Sequence, residues 1–176
     1  YRQLHSGLGC YIRRRSADSV IEELRLLKSR YGKRRIWFID DLFPMQDKQW
    51  LGALLLRYSR EISVPFTCHV RLELIDEEIA AMLKESGFCA GVSFGVETGN
   101  ETYRRDILKK AIDNNQIKSK VAILRRYGLG FSTTNMMGLP GETTQDAIST
   151  IKLNREIGAQ FCVCTVYQPL PNTELT

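Results

Sequence analysis

Short, nearly continuous apolar runs alternate along this chain with stretches whose apolar residues recur every three or four positions. The runs are Ile36-Trp37-Phe38-Ile39, Phe66-Thr67-Cys68-His69-Val70, Gly91-Val92-Ser93-Phe94-Gly95-Val96, Phe131 to Met137, and Phe161 to Tyr167. Runs of this kind are expected of strands buried on both faces of a parallel sheet. The stretches between them read as amphipathic helices with recognisable ends. Val20, Ile21, Leu24 and Leu27 share a face after a cap at Ser16 or Ser19; Ser19 and Glu22 have capping-box spacing, and Gly32 is the stop. Trp50, Leu51, Leu54, Leu55 and Tyr58 lie at helical intervals between Asp47 and Arg60. Asp76 caps a helix carrying Ile79, Met82 and Leu83, stopped by Gly87. Two helical pieces follow, split near Asp113-Asn114, the second ending at Gly128. Thr143 and Asp146 open a last helix bearing Ala147, Ile148 and Ile151, which Gly158 closes.

Strand centres therefore recur about every 30 residues, the length of a βαβ unit, and right-handed crossovers of that kind give a parallel sheet. An open doubly wound sheet and a closed or partly closed barrel both fit this period. The polar residues favour the barrel. An open sheet gathers ligand contacts at one switch point, whereas a barrel collects them from the carboxyl ends of many strands. Here almost every strand runs into something unusual: Asp40-Asp41, Arg71, Glu97, Gly138 to Glu142, then Gln168-Pro169.

Composition narrows the class without changing it. With 176 residues, 43% of them hydrophobic and 26% charged, the chain can bury one sizeable core, and it is read as a single domain over 1–176. No apolar run approaches the roughly 18–20 residues that cross a bilayer. The net charge of +5 is mild, and the clusters Arg13-Arg14-Arg15 and Lys33-Arg34-Arg35 lack the interleaved aromatics of single-strand binding surfaces. A small-molecule substrate is expected ahead of nucleic acid. The five cysteines, at 10, 68, 89, 162 and 164, form no framework or metal-ligand spacing and suit a reducing cytoplasm. Cys162 and Cys164 alternate in a strand and are expected as buried small hydrophobes. His5 and His69 have no ligand-spaced companions.

Several motifs, in order, resemble the radical S-adenosylmethionine superfamily. They are Arg14-Arg15-Ser16, Val20-Ile21-Glu22-Glu23-Leu24, Phe38-Ile39-Asp40-Asp41-Leu42-Phe43, Phe94-Gly95-Val96-Glu97-Thr98-Gly99 and Gly138-Leu139-Pro140-Gly141-Glu142-Thr143. Their order is closest to the subgroup with an amino-terminal cobalamin-binding domain. The resemblance implies a six-stranded partial TIM-like barrel in which S-adenosylmethionine chelates a 4Fe–4S cluster, is cleaved reductively to a 5′-deoxyadenosyl radical, or donates a methyl group with cobalamin. It also implies an electron donor such as flavodoxin or ferredoxin.

Carried over to this chain, the resemblance places Asp40 and Asp41 where the ligand's ammonium is received, through charge-assisted hydrogen bonds. Neighbours on an extended segment point opposite ways, so one of the two faces the site, and Asp41 is favoured; alternatively both cap the following turn. Glu97 matches a position that contacts the ribose or methionine part, the alternative being an ion pair with Arg71. Arg71 could instead fork onto the ligand carboxylate. The segment from Thr134 to Glu142 stands where the family has G-x-I-x-G-x-x-E. Thr134 replaces the first Gly, Met136 replaces Ile, and one residue is inserted, leaving an adenine contact through main chain near Met136 to Gly138. Glu142 then reads as a helix-start residue. Gln168 would help close the site, unless it merely belongs to a Pro-rich exit from the sheet.

One part of the family pattern is absent from this sequence. C-x-x-x-C-x-x-C, which holds the cluster, does not occur, and Tyr1 to Arg15 reads like the segment that follows it. The resemblance therefore implies a first strand, cluster loop and possible cobalamin domain upstream of Tyr1, and this stretch alone is expected to be inactive. Three other readings remain open: an RNA- or protein-modifying methylthiotransferase of the same superfamily, to which the modest charge gives little support, a metal-free phosphate-binding barrel enzyme using Gly138 to Thr143, or a cluster-less binding module.

Overall fold

The computed structural model describes residues 14–40, 43 and 47–169. Helix α1 (Ala17–Tyr31) is capped by Ser16, whose hydroxyl accepts from the Ser19 amide, and it ends on Gly32 at φ +59°. Ser16 rather than Ser19 is thus the cap. Strand β1 (Ile36–Phe38) leads to α2 (Lys48–Arg57), which starts on the Asp47 carboxylate and widens into a single π-turn over Tyr58–Ile62. After β2 (Phe66–His69), a short 3-10 turn (Leu72–Leu74) leads to α3 (Glu77–Glu85), capped by Asp76. Strand β3 (Cys89–Glu97) is the longest, and the two helical pieces beyond it are α4 (Glu101–Asp106) and α5 (Asn114–Arg126). Strand β4 (Phe131–Met137), α6 (Thr144–Glu156) and β5 (Phe161–Val166) complete the order.

All strand pairs are parallel, and the sheet runs β1-β2-β3-β4-β5 in chain order. An order without reversal has no switch point, which separates the two topologies the period allowed. The sheet curls into part of a (β/α) barrel. Strand alternation then sorts the residues. Phe66, Cys68, Val92, Phe94, Val96 and Phe131 point to the helices and are buried. Against them pack Ile21 and Leu24 of α1, Leu51 and Leu54 of α2, Ile79 and Leu83 of α3, and Val121 and Leu124 of α5. Each such aliphatic or aromatic side chain contributes about 1.5–3 kcal/mol on leaving water. Tyr58 stacks edge-on to Phe66 at 5.0 Å and donates its hydroxyl to the Val64 carbonyl at 2.9 Å, so its polar end is satisfied inside the core.

The opposite face carries Thr67, His69, Ser93, Gly95, Ser132 and Thr134, and it is not buried. This corrects the expectation of strands buried on both sides. Trp37 is 62% exposed and Ile39 70%, with Trp37 stacked on His69 at 5.5 Å. A curled sheet covers only its outer face with helices, so continuous apolar runs at its ends meet an open interior. β5 also departs from expectation: Cys162 and Cys164 are exposed rather than buried, as is every residue of that strand. Helix α6 turns a different side to the sheet from the one its apolar spacing marks. Thr150, Leu153 and Asn154 are buried, while Ile148 and Ile151 are exposed.

Candidate functional site

At the carboxyl end of β3 the chain makes an unusual bend. The Thr98 amide donates back to the Val96 carbonyl at 2.9 Å, and Glu97 between them has φ +67°. That is a γ-turn of the strained, positive-φ kind. The register to β4 shifts at the same place, between Gly95 and Glu97. The bend folds the Glu97 carboxylate back over Gly95, and a Cβ at residue 95 would overlap Glu97 Oε1. Gly95 therefore leaves room for this carboxylate, which a larger residue would turn aside. Lys110, from the segment between α4 and α5, donates to the Gly95 carbonyl and pairs with Glu97 Oε1 at 3.3 Å.

Arg71 follows β2 and pairs with Glu73 at 3.0 Å. The alternative of an Arg71–Glu97 pair is not what forms, since each takes another partner. Yet the two ends are connected. Burial pushes the Glu73 carboxyl up, but its own backbone amide, Arg71 and the charge of Lys110 outweigh this and leave it below the usual carboxylate range. Arg71, Glu73, Lys110 and Glu97 thus form a row of alternating charge across the ends of β2 and β3. Glu73 Oε2 is buried without a hydrogen-bond partner, an acceptor to be accounted for.

The turn after β4 is tied to the same region. Gly138 at φ +76° and Gly141 at φ +77° frame it, and Glu142 Oε2 accepts from the amides of Gly138, at 2.6 Å, and Leu139, at 3.3 Å. Those two amides are what a phosphate would use, so the chain's own carboxylate already fills the one candidate phosphate loop. The Tyr103 hydroxyl donates to the Pro140 carbonyl at 2.5 Å, and Asn100 Nδ2 to Asp146 Oδ1 at 2.7 Å. Gly99 lies directly against the backbone of Ser149 and Thr150 and donates to Thr150 Oγ1 at 2.8 Å. The segments that follow β3 and β4 are in this way bound to one another three times.

Of the residues singled out in the sequence, Arg71, Glu97, Met136 and Gly138 lie at adjacent strand ends. Glu97 is in register with Asn135, next to Met136. Asp40 is exposed two residues past β1, with its charge felt by Cys68. Asp41 lies outside the described residues. Gln168 is exposed two residues past β5. Sequence reasoning missed Glu73, Lys110 and the wholly buried Arg104. Nothing in the run Tyr103-Arg104-Arg105-Asp106 says which arginine goes inside. A cavity of about 280 Å³ lies elsewhere, on the outer face between α6 and β5, where Met137, Ile151, Arg155, Cys162 and Cys164 line it.

Among the described residues no group of three or more His, Cys, Asp or Glu could hold a metal ion. Cys68 and Cys89 belong to β2 and β3, Cys162 and Cys164 to β5. These residues do not fit a 4Fe–4S cluster. No helix among the described residues is long and apolar enough to cross a membrane.

The chain is 29% identical over 160 residues to an uncharacterized methyltransferase of Pyrococcus horikoshii, covering 91% of this chain and 34% of that protein. It is 23% identical over 170 residues to the tRNA-2-methylthio-N(6)-dimethylallyladenosine synthase of Prosthecochloris aestuarii, covering 92% and 38%. The chain thus spans about a third of the length of the curated relatives it matches. In fold it resembles the radical S-adenosylmethionine methyltransferase TsrM from Kitasatospora setae, solved with cobalamin and a [4Fe-4S] cluster. The TM-score is 0.74 at 18% identity, over 89% of this chain and 32% of that one. The model of the Radical SAM superfamily matches residues 5–153, the greater part of the sequence, so this chain belongs to the radical S-adenosylmethionine superfamily.

Proposed function

We propose that this chain is the part of a radical S-adenosylmethionine enzyme's barrel that holds S-adenosylmethionine at the carboxyl ends of its strands. The parent protein is read as a methyl-transferring enzyme acting on a small molecule in the cytoplasm. The observation that carries the reading is the row Arg71, Glu73, Lys110 and Glu97 beside the turn at Gly138. S-adenosylmethionine presents an ammonium, a sulfonium and a carboxylate within one small ligand, and this row offers cations and carboxylates in alternation. Buried Glu73 Oε2, which lacks a hydrogen-bond partner, fits a donor from such a ligand.

When bound, S-adenosylmethionine supplies a methyl or 5′-deoxyadenosyl group. The chain's own residues bind and orient it. Glu97 meets the ribose or methionine part, one of Asp40 and Asp41 (Asp41 by preference) meets the ammonium, and Arg71 meets the carboxylate by a two-pronged contact that lysine cannot imitate. The main chain from Met136 to Gly138 lies along the adenine, and Gln168 borders the site. Cobalamin, a cobalamin-binding domain and a flavodoxin- or ferredoxin-like electron donor belong to the proposal for the whole protein. The methyltransferase relative and TsrM support methyl transfer, and the odd, scattered cysteines support a reducing compartment.

The test is equilibrium dialysis of S-adenosylmethionine against the full-length protein after anaerobic cluster reconstitution. Glu97→Gln and Arg71→Gln should each raise Kd about tenfold, the worth of one charge-assisted hydrogen bond. Unchanged affinity in both variants would refute the assignment.

A further inference from the structure

Three non-glycine residues among those described have positive φ: Ser63, Glu97 and Lys109. Ser63 simply ends the π-turn, its amide donating to the Tyr58 carbonyl at 3.0 Å. The other two lie on the separate segments that bring Glu97 and Lys110 together. Backbone of this kind persists only where the surroundings over-determine it.

One side chain is bound to both segments. Arg104 has no exposed surface, and among the described residues no carboxylate pairs with it. Its Nε lies 3.1 Å from the carbonyls of both Val96 and Thr98, the two residues flanking Glu97, and Nη2 also reaches the Thr98 carbonyl. On the other side, Nη1 donates to the Ile112 carbonyl at 3.0 Å and Nη2 to Asn114 Oδ1 at 2.8 Å. The Arg104 carbonyl in turn accepts from the Lys110 amide at 3.0 Å.

We propose that Arg104 is the positioning residue of the Glu97–Lys110 pair, its guanidinium tying the γ-turn at Glu97 to Ile112 and Asn114, just past the bend at Lys109, so that carboxylate and ammonium face the barrel interior together. Burying a guanidinium without a counter-charge is costly, and an apolar side chain would fill the same volume more cheaply. What the apolar residue lacks is a rigid fork of donors that satisfies carbonyls on two segments at once; lysine, with one rotating ammonium, lacks it too. Burial pulls the Arg104 pKa down, and Glu101, Glu97 and Asp113 act against that pull. The functional side of this claim rests on the S-adenosylmethionine reading; the positioning side does not.

The experiment compares Arg104→Lys with wild type in the full-length protein. Without ligand, hydrogen exchange at the amides of Thr98 and Lys110 should quicken at least tenfold, while amides of Val92 and Phe131 keep their protection. The Kd for S-adenosylmethionine should rise about tenfold, as with Glu97→Gln, and combining the two substitutions should add little. Unaltered exchange at Thr98 and Lys110 would overturn the proposal. If Arg104→Lys does not fold, Glu97→Gly, which removes the strain at 97, should restore folding to it; a double variant no better than the single also overturns it. Should wild type bind no S-adenosylmethionine while the two amides are still freed, the ligand reading falls and the positioning role is supported.

Discussion

The same substitution, glycine to alanine, should have opposite signs at two places in this fold. Gly52 lies inside α2, where an added methyl would meet only Met82 Cε at 4.0 Å. Alanine there removes backbone freedom from the unfolded chain and should stabilise by about 0.5–1 kcal/mol. At Gly99 the methyl would overlap the main chain of Ser149 and Thr150, inside α6. Helix backbone cannot rotate aside as a side chain can, so α6 must shift. The shift strains the core by about 1–3 kcal/mol and breaks the Gly99–Thr150 hydrogen bond, worth about 1 kcal/mol. About 3 kcal/mol is therefore expected, or roughly 6–12 °C in Tm for a domain of this size. Urea titration followed by circular dichroism reads both variants. Gly99→Ala within 1 kcal/mol of wild type, or Gly52→Ala destabilising by as much as Gly99→Ala, would refute the packing argument.

Two further expectations follow from side chains away from the strand ends. Alkylation by iodoacetamide at pH 8 should label exposed Cys162 and Cys164 well before Cys89, and Cys68 only after denaturation. Burial pushes the Cys89 thiol up to about 11, leaving about one thiolate in a thousand at that pH; peptide mapping that found Cys68 among the first sites would contradict the core described above. Asp146 titrates below the ordinary aspartate range because it accepts from the Thr143 hydroxyl and amide and from Asn100. Its pKa is lowered by folding, so its contribution is complete above the unfolded value near 3.8 and is lost as pH falls through the lower folded one. Asp146→Asn should flatten the acid limb of a stability–pH curve, and an unchanged limb would count against the tie between the two loops.

The strands and helices were legible because their period was regular and their caps were explicit: Asp47, Asp76 and Thr143 each accept from the amide three residues on. The order of the sheet was legible too, through the polar strand ends that favoured a barrel. What the sequence hid is what depends on side-chain direction. Ile148 and Ile151 mark an apolar stripe, yet α6 turns Thr150 and Asn154 inward, where Asn154 bonds to Thr133 and Asn135 of the sheet and Thr150 to the Gly99 amide. Lys110 is thirteen residues from Glu97, and only the bend at Lys109 brings them together. Arg104 and Arg105 are adjacent, and one is fully buried while the other pairs with Asp106 at the surface. No spacing rule separates such neighbours.

The polar seam under α6 explains why its apolar side could be left out. Thr133 donates to Asn154 at 2.5 Å, Asn154 to Asn135 at 2.8 Å, and Asn135 to the Val163 carbonyl at 3.2 Å; Thr150, one turn earlier, accepts from Gly99. An apolar interface tolerates small rotations and slides at little cost, whereas each of these bonds weakens steeply with angle. Buried partners left unmet by such a rotation would cost about 1–3 kcal/mol apiece. The seam therefore fixes the register of α6 on β4 and, through Gly99, on the loop that follows Glu97. The start of α6 carries the Gly138 turn with it, since Asp146 and Pro140 are bound to Asn100 and Tyr103. Geometry at the inner strand ends is thus set from the outer face, by bonds that fix the helix in direction as well as in place.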